Sequence, residues 1–319
     1  MLDGLLTNPE EQLNIRIAWY YYVTERTQQQ IADRFGITRV RVNKALTACR
    51  ESGVVQIRIN SKLASCIELE HKLVEHYGLK EAIVVLTPEN EKYISRVLAV
   101  GAAPYLHDQL FDGCSFGVGW GRTLRYIIRE TRGRSLPSMN VVSLMGGLNY
   151  GNGFNTIEIA SSFARLFDAH YYYLAAPVYA DSEASRDTIL AQDALRYVYE
   201  KARHVDLALV TVGDLTQSLM IELGLVSHED VKSLKTAGAV GDLLGHYLNK
   251  DGEKVDHPVN HRVISLSLED LSRLKKIVLV SGGLYRLDII RAVLLRKLAQ
   301  VLIIDEATAE ELVASAPST

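Results

Sequence analysis

A chain of 319 residues is long enough for about two domains, and its 48% apolar and 23% charged content is that of an ordinary globular protein. A formal net charge of -3 excludes a strong electrostatic preference of the chain as a whole, and no stretch reaches the roughly 18 apolar residues of a membrane span. The three cysteines, Cys49, Cys66 and Cys114, are odd in number and form no CxxC pair, which argues against a disulfide framework or structural zinc and fits a reducing cytoplasm. The first residues lack the basic n-region of a signal peptide.

The charge is uneven. Residues 26–58 carry seven basic and two acidic residues, a net of +5 inside an acidic protein. A local basic patch of this kind suits a polyanion. The pattern predicts a scaffold helix over 11–24 with Leu13, Ile17, Tyr20, Tyr21 and Val23 on its apolar side. "TQQQIADRFGITRVRVNKALTACRESG", 27–53, then reads as two helices joined by a tight turn. Ile31, Ala32 and Phe35 form the apolar stripe of the first. Gly36 stands where the chain reverses in left-handed geometry, and Ile37 plugs the joint. Thr38 is the N-cap of the second helix, which buries Val42, Ala45 and Leu46 and turns Arg39, Asn43, Lys44 and Thr47 outward, with Arg41 near the edge.

Ala32, Gly36 and Val42 at these offsets are the spacing of a helix-turn-helix, whose second helix enters the DNA major groove. Arg39 and Asn43 can make bidentate contacts to guanine and adenine edges. Arg41 and Lys44 suit phosphate contacts, which set affinity rather than sequence choice. "GVVQIRIN", 53–60, alternates like a short strand and is a candidate wing. The small polar "NSKLASC", 60–66, marks the end of this part, giving a DNA-binding domain over 1–60 and a second domain over 61–319.

Beyond residue 80, apolar runs at 82–86, 114–119, 140–145, 171–176, 206–213, 277–283 and 301–305 read as strands. Helical patterns at 92–111, 154–167, 189–203, 284–298 and 306–314 lie between them. This alternation predicts an α/β domain with a parallel sheet covered on both faces, in which ligands bind at the carboxyl ends of strands. Glycine turns collect at those ends: "GVGWGRT" at 117–123, Gly146-Gly147, Gly213-Asp214, "GAVGDLLG" at 238–245 with Asp242, and Gly282-Gly283. Free N–H groups at a helix start favour a phosphate or carboxylate. Arg122 and Thr123 supply a charge and a hydroxyl there, and Arg286 reaches toward the same edge. Asp214 and Asp242 either accept hydrogen bonds from sugar hydroxyls or cap their turns, and Trp120 either stacks on a sugar ring or packs.

"GVGWG" is not the dinucleotide G-x-G-x-x-G, and no G-x4-G-K-[ST] is present, so neither nucleotide class is expected. A sugar-phosphate isomerase or deaminase is the rival reading. It needs a positioned base, and Asp305 at a strand end is the best candidate, although an N-cap role there accounts for it as well. In "HPVNH", 257–261, Pro258 breaks any helix that would hold the two histidines on a metal.

The ordered motifs "TQQQIADRFGITR", "GVGWGRTL", "VVSLMGGL", "AAPVYADS", "GAVGDLLGHYLNKDG", "VSGGLYRLDIIRAVL" and "IIDEATAEELV" resemble the markers of the SorC family of sugar-responsive bacterial transcription regulators, over nearly the whole chain. The resemblance implies a Rossmann-like effector domain similar to sugar-phosphate isomerases and CoA transferases. It implies a phosphorylated sugar or polyol as effector, no cofactor, and homodimers or homotetramers on operator DNA. By motif, the effector phosphate would meet the loop from Gly117, with Gly119, Gly121, Arg122 and Thr123, and the Gly282-Gly283 turn, while Gly146, Gly147, Pro177, Gly213 and Asp242 would line the pocket. Arg286 stands where the family's G-G-x-x-K pattern has lysine, which keeps the charge but presents a planar fork. "ITRVRVNKAL" points to the branch that regulates erythritol-type polyol catabolism.

Overall fold

The computed structural model describes residues 8–55, 62–151 and 153–315. The chain divides into two compact units, Met1–Ser61 and Lys62–Thr319.

In the first unit α1 (Pro9–Tyr22), α2 (Gln28–Phe35) and α3 (Arg39–Glu51) enclose a small core of Ile17, Ala18, Ile31, Ala32, Val42, Ala45, Leu46 and Cys49. Local chemistry sets the boundaries. Thr27 and Gln30 form a reciprocal capping box at the start of α2. Gly36 ends that helix at φ 65°, a conformation that costs an L side chain about 1 kcal/mol or more. Thr38 then accepts the Arg41 N–H as N-cap of α3. Ile37 packs against this core. The candidate wing falls mostly on residues 56–60, outside the described residues.

The second unit begins with α4 (Lys62–Tyr77) and is built on a seven-stranded sheet. Its strands are β1 (Glu81–Val85), β2 (Ser115–Val118), β3 (Asn140–Ser143), β4 (His170–Tyr172), β5 (Leu207–Val210), β9 (Ile277–Val280) and β10 (Val301–Asp305). Their order is β1-β10-β9-β5-β2-β3-β4, and every pairing is parallel. Successive residues serve opposite faces. Leu207 and Leu209 join a core with Phe116, Val278 and Ile303 under α5 (Ile94–Gln109), α6 (Arg122–Glu130) and α7 (Thr156–Phe167). Ala208 and Val210 join the opposite core under α4 and the helices Leu287–Leu295 and Glu306–Ala314.

Three expectations need correction. The segment 206–213 is two strands, because the chain leaves the main sheet at Thr211 and starts β6 (Val212–Asp214). "GAVGDLLG" is not a glycine turn but β7 (Ala239–Leu243) followed by a turn at Leu244-Gly245 into β8 (His246–Asn249). These three strands form a separate antiparallel sheet. The helix expected over 189–203 is broken at Ala191-Gln192 into Glu183–Leu190 and Asp193–Ala202, since Gln192 is extended.

The chain runs β2, β3, β4 in one direction and then returns to place β5 on the other side of β2. The carboxyl ends of β2 and β5 are therefore the switch point of the sheet, where the diverging loops leave a crevice.

Candidate functional site

That crevice is a cavity of about 440 Å³. The loop after β2 contributes Gly119, Trp120, Gly121, Arg122 and Thr123, and the loop after β5 contributes Thr211, Val212 and Gly213. Gly121 is the N-cap of α6, at φ 121°, and no side chain caps the helix there. The first turn of α6 thus opens on the cavity with the positive end of its dipole. Thr123 is buried, and its hydroxyl donates to the Ser95 hydroxyl at 3.1 Å.

Three cations line the cavity: Lys92, Arg122 and Arg286. Arg122 is ion-paired with Glu222 and lies over the Phe154 ring at 5.5 Å. Arg286 stacks over the Tyr285 ring at 4.7 Å and donates to the Gly282 carbonyl at 3.3 Å. Its Nε is buried without a hydrogen-bond partner among the described residues. Facing them is Asp242, 5% exposed, which accepts the Gly245 N–H at 3.1 Å. Burial pushes its carboxyl up from the ordinary 3.8 to about 7; Asp214 adds to the rise, and the Gly245 N–H and Arg286 oppose it. Near neutral pH this group is therefore both a donor and an acceptor of hydrogen bonds. The Ser218 hydroxyl, also lining the cavity, is buried and unpartnered among the described residues.

In the first unit, Arg39, Val40, Asn43 and Lys44 are exposed on α3. Arg39 Nε donates to Gln28 Oε1 at 3.3 Å. Arg41 is turned back to α1, where its Nη2 meets Glu10 Oε1 at 2.6 Å.

Residues 61–314 match the family described as "Putative sugar-binding domain". The deoxyribonucleoside regulator of Bacillus subtilis is 33% identical over 95% of this chain and 98% of its own. The erythritol catabolism regulatory protein EryD of Brucella abortus is 27% identical over 97% of this chain and 98% of its own. The chain belongs to the SorC family of sugar-binding transcriptional regulators. The full-length sorbitol operon regulator SorC of Klebsiella pneumoniae, 24% identical, has the same fold at a TM-score of 0.75, over 96% of this chain and 100% of that one. The relatives are named as regulators, so this protein is a transcriptional regulator with a sugar-binding domain, and the isomerase reading is set aside.

The regulator's fold does not bring all the glycine turns to one cavity. Gly119, Trp120, Gly121, Arg122, Thr123, Gly213, Asp242 and Arg286 line it, whereas Gly117, Gly146, Gly147, Asp214, Gly282 and Gly283 do not. Gly117 is inside β2. Gly146 and Gly147 lie beside the 176–178 segment, with Gly147 bridged to Pro177, and a Cβ on Gly146 would clash with the Pro177 carbonyl. Gly147 and Pro177 line a different cavity, of about 510 Å³. The Gly283 N–H is already taken by Asp305 Oδ1 at 2.8 Å and Thr308 Oγ1 at 2.9 Å. Asp214 caps its own turn through the N–H groups of Thr216 and Gln217. Trp120 both lines the cavity and packs in the core.

Asp305 is the N-cap of the last helix and accepts from Thr308, so it has the structural role. Pro258 starts a short helix at its first position instead of breaking one, and His257 caps it through Nδ1. Cys49, Cys66 and Cys114 are free and buried, and burial raises each thiol above its usual range.

Sequence reasoning missed Lys92, Ser95, Thr211, Gln217, Ser218 and Tyr285. Lys92 lies in the 3-10 turn Glu91–Tyr93 that leads into α5 and Ser95 in the first turn of that helix, remote in sequence and without glycine to flag them. Gln217 and Ser218 line the cavity from the stretch that follows β6, the first strand of the antiparallel sheet.

Proposed function

We propose that this regulator binds operator DNA through the helix-turn-helix of α2 and α3, with operator affinity set by a phosphorylated sugar or polyol held in the switch-point cavity. The observation that supports the effector reading is the convergence of an uncapped helix start with Lys92, Arg122 and Arg286 in one cavity. The phosphate lies at the first turn of α6, against Thr123, Arg122 and Arg286. The effector's hydroxyls meet Asp242, Gln217 and Ser218, since a carboxyl near its midpoint serves either direction of hydrogen bond. Thr38, Arg39, Asn43, Lys44 and Thr47 form the DNA face, and Arg41 contributes from the α1 side. Relatives named for deoxyribonucleosides and for erythritol both match over nearly the whole chain, so the effector class is kept at phosphorylated sugars and polyols.

The protein acts in the cytoplasm as a homodimer or homotetramer that sets two reading helices at the spacing of a near-palindromic operator. Effector binding must favour one of two assembly states of unequal DNA affinity. A thermal-shift screen of the full chain against pentose, hexose and tetritol phosphates and their dephosphorylated forms tests this reading. Stabilisation confined to the phosphorylated members is expected. Stabilisation by the unphosphorylated members alone overturns the phosphate assignment, and turnover of any hit overturns the sensor reading.

A further inference from the structure

Val40 is 66% exposed, the largest fraction among the exposed large hydrophobic side chains of the described residues. It lies at the second position of α3, directly after Arg39. The buried stripe of this helix is Val42, Ala45, Leu46 and Cys49. Val40 belongs to the opposite side, in helical register with Asn43 and Lys44 three and four residues on and with Thr47 at seven. Folding of the unit gives no reason for valine there. The side chain is outside the unit's core, and a β-branched residue is a weaker helix former than alanine or lysine.

Its neighbours also differ in what they are free to do. Arg41 is ion-paired with Glu10 on the α1 side, so the polar groups flanking Val40 on the outward side are Arg39, Asn43 and Lys44. Arg39 is held by Gln28 across the turn. The first residues of a reading helix are those that reach base edges. On that surface an apolar branched side chain has one natural counterpart in the major groove, the thymine C5-methyl, which no other standard base carries.

Resting on the DNA-binding reading, we infer that Val40 is a specificity-determining residue that packs against a thymine methyl next to the base pair read by Arg39. It acts as an apolar reader, distinct from the hydrogen-bonding readers Arg39 and Asn43.

The test uses the full-length protein and a random-sequence duplex library. Sequences enriched by binding are resynthesised with deoxyuridine in place of each thymine in turn, which removes the methyl and leaves every hydrogen-bonding group. Loss of that methyl from one half-site should weaken wild-type binding by about fourfold, the affinity equivalent of one buried methyl-sized group. Val40→Ala should bind the thymine and uracil forms of that site equally. Exposed valine to alanine in a helix leaves the fold intact, which an unchanged Tm checks. Uracil tolerated at every position by the wild type overturns the assignment of Val40 and leaves the DNA reading standing. Full methyl sensitivity retained by Val40→Ala does the same. Failure to enrich any sequence overturns the DNA reading itself, and the inference with it.

Discussion

The two units place chemistry by opposite means. On α3 the outward residues come from one uninterrupted stretch, Arg39 to Thr47, and helical periodicity alone puts them on one side. In the sheet unit the cavity draws on residues from 91 to 286, which meet only because β2 and β5 are neighbours at the switch point. A contiguous surface survives or fails by its local helix. A composite one depends on the register of a whole sheet.

The largest effect that would sharpen this comparison is at Arg39. Arg39→Ala should lower operator affinity by about five- to 150-fold per half-site, since a bidentate guanine contact is worth roughly 1–3 kcal/mol. Ligand-induced thermal stabilisation should be unchanged. A gel-shift titration beside a thermal-shift titration separates the two, and a lost effector response would mean the units are not energetically separate at this residue.

The converse variant is Arg122→Ala with Thr123→Ala. It should weaken effector affinity by roughly tenfold or more, as charge-assisted hydrogen bonds contribute about 1.5–3 kcal/mol each. Because Arg122 gives up Glu222 to hold a phosphate, the loss should fall at the low end of that range. Operator binding without effector should persist. If the operator affinity of the double variant still changes on addition of the active effector, the cavity is not the effector site.

Thr38→Ala removes the N-cap of α3 and should destabilise the first unit by about 1 kcal/mol, read as an earlier melting transition of that unit. Its effect on effector affinity should be nil.

The remaining contrast concerns pH and is confined to the sheet unit. The native Asp242 carboxyl holds its proton up to about pH 7, whereas the unfolded chain releases it near 3.8. The native state therefore binds more protons across that window, and stability falls as pH rises from about 4 to 7 and is flat in this respect above it. Asp242→Asn should remove this decline, worth several degrees of Tm, and should raise stability at pH 8 relative to the wild type. An unchanged slope would show that Asp242 titrates as an ordinary exposed carboxylate.

The helix pair was readable from the sequence nearly residue by residue, because capping by Thr27 and Thr38 and the Gly36 reversal are local events. What was not readable is the turning of Arg41 toward Glu10, thirty-one residues away, which tertiary packing decides. In the sheet unit, strand positions followed from the apolar runs, and β10 over Val301–Asp305 agrees at both ends. The exception is Thr211, where the sequence runs on apolar but the chain changes sheets. Glycine density flagged the loop after β2 correctly as a cavity wall. At Gly146 and Gly282 the same density reflects close packing against the 176–178 carbonyls and the Asp305 carboxylate, a demand that looks identical in sequence.

By itself the sequence determined the periodicities, caps and turns, and with them the helix pair, the parallel α/β class and the positions of most strands, because these rest on interactions spanning a few residues. Only the tertiary structure decided which loops share a crevice. It brought Lys92, Arg122 and Arg286 to one cavity and buried Asp242 deeply enough to move its proton toward neutral pH. Those outcomes depend on strand order and on removal from water, and neither quantity is written in any one segment of the chain.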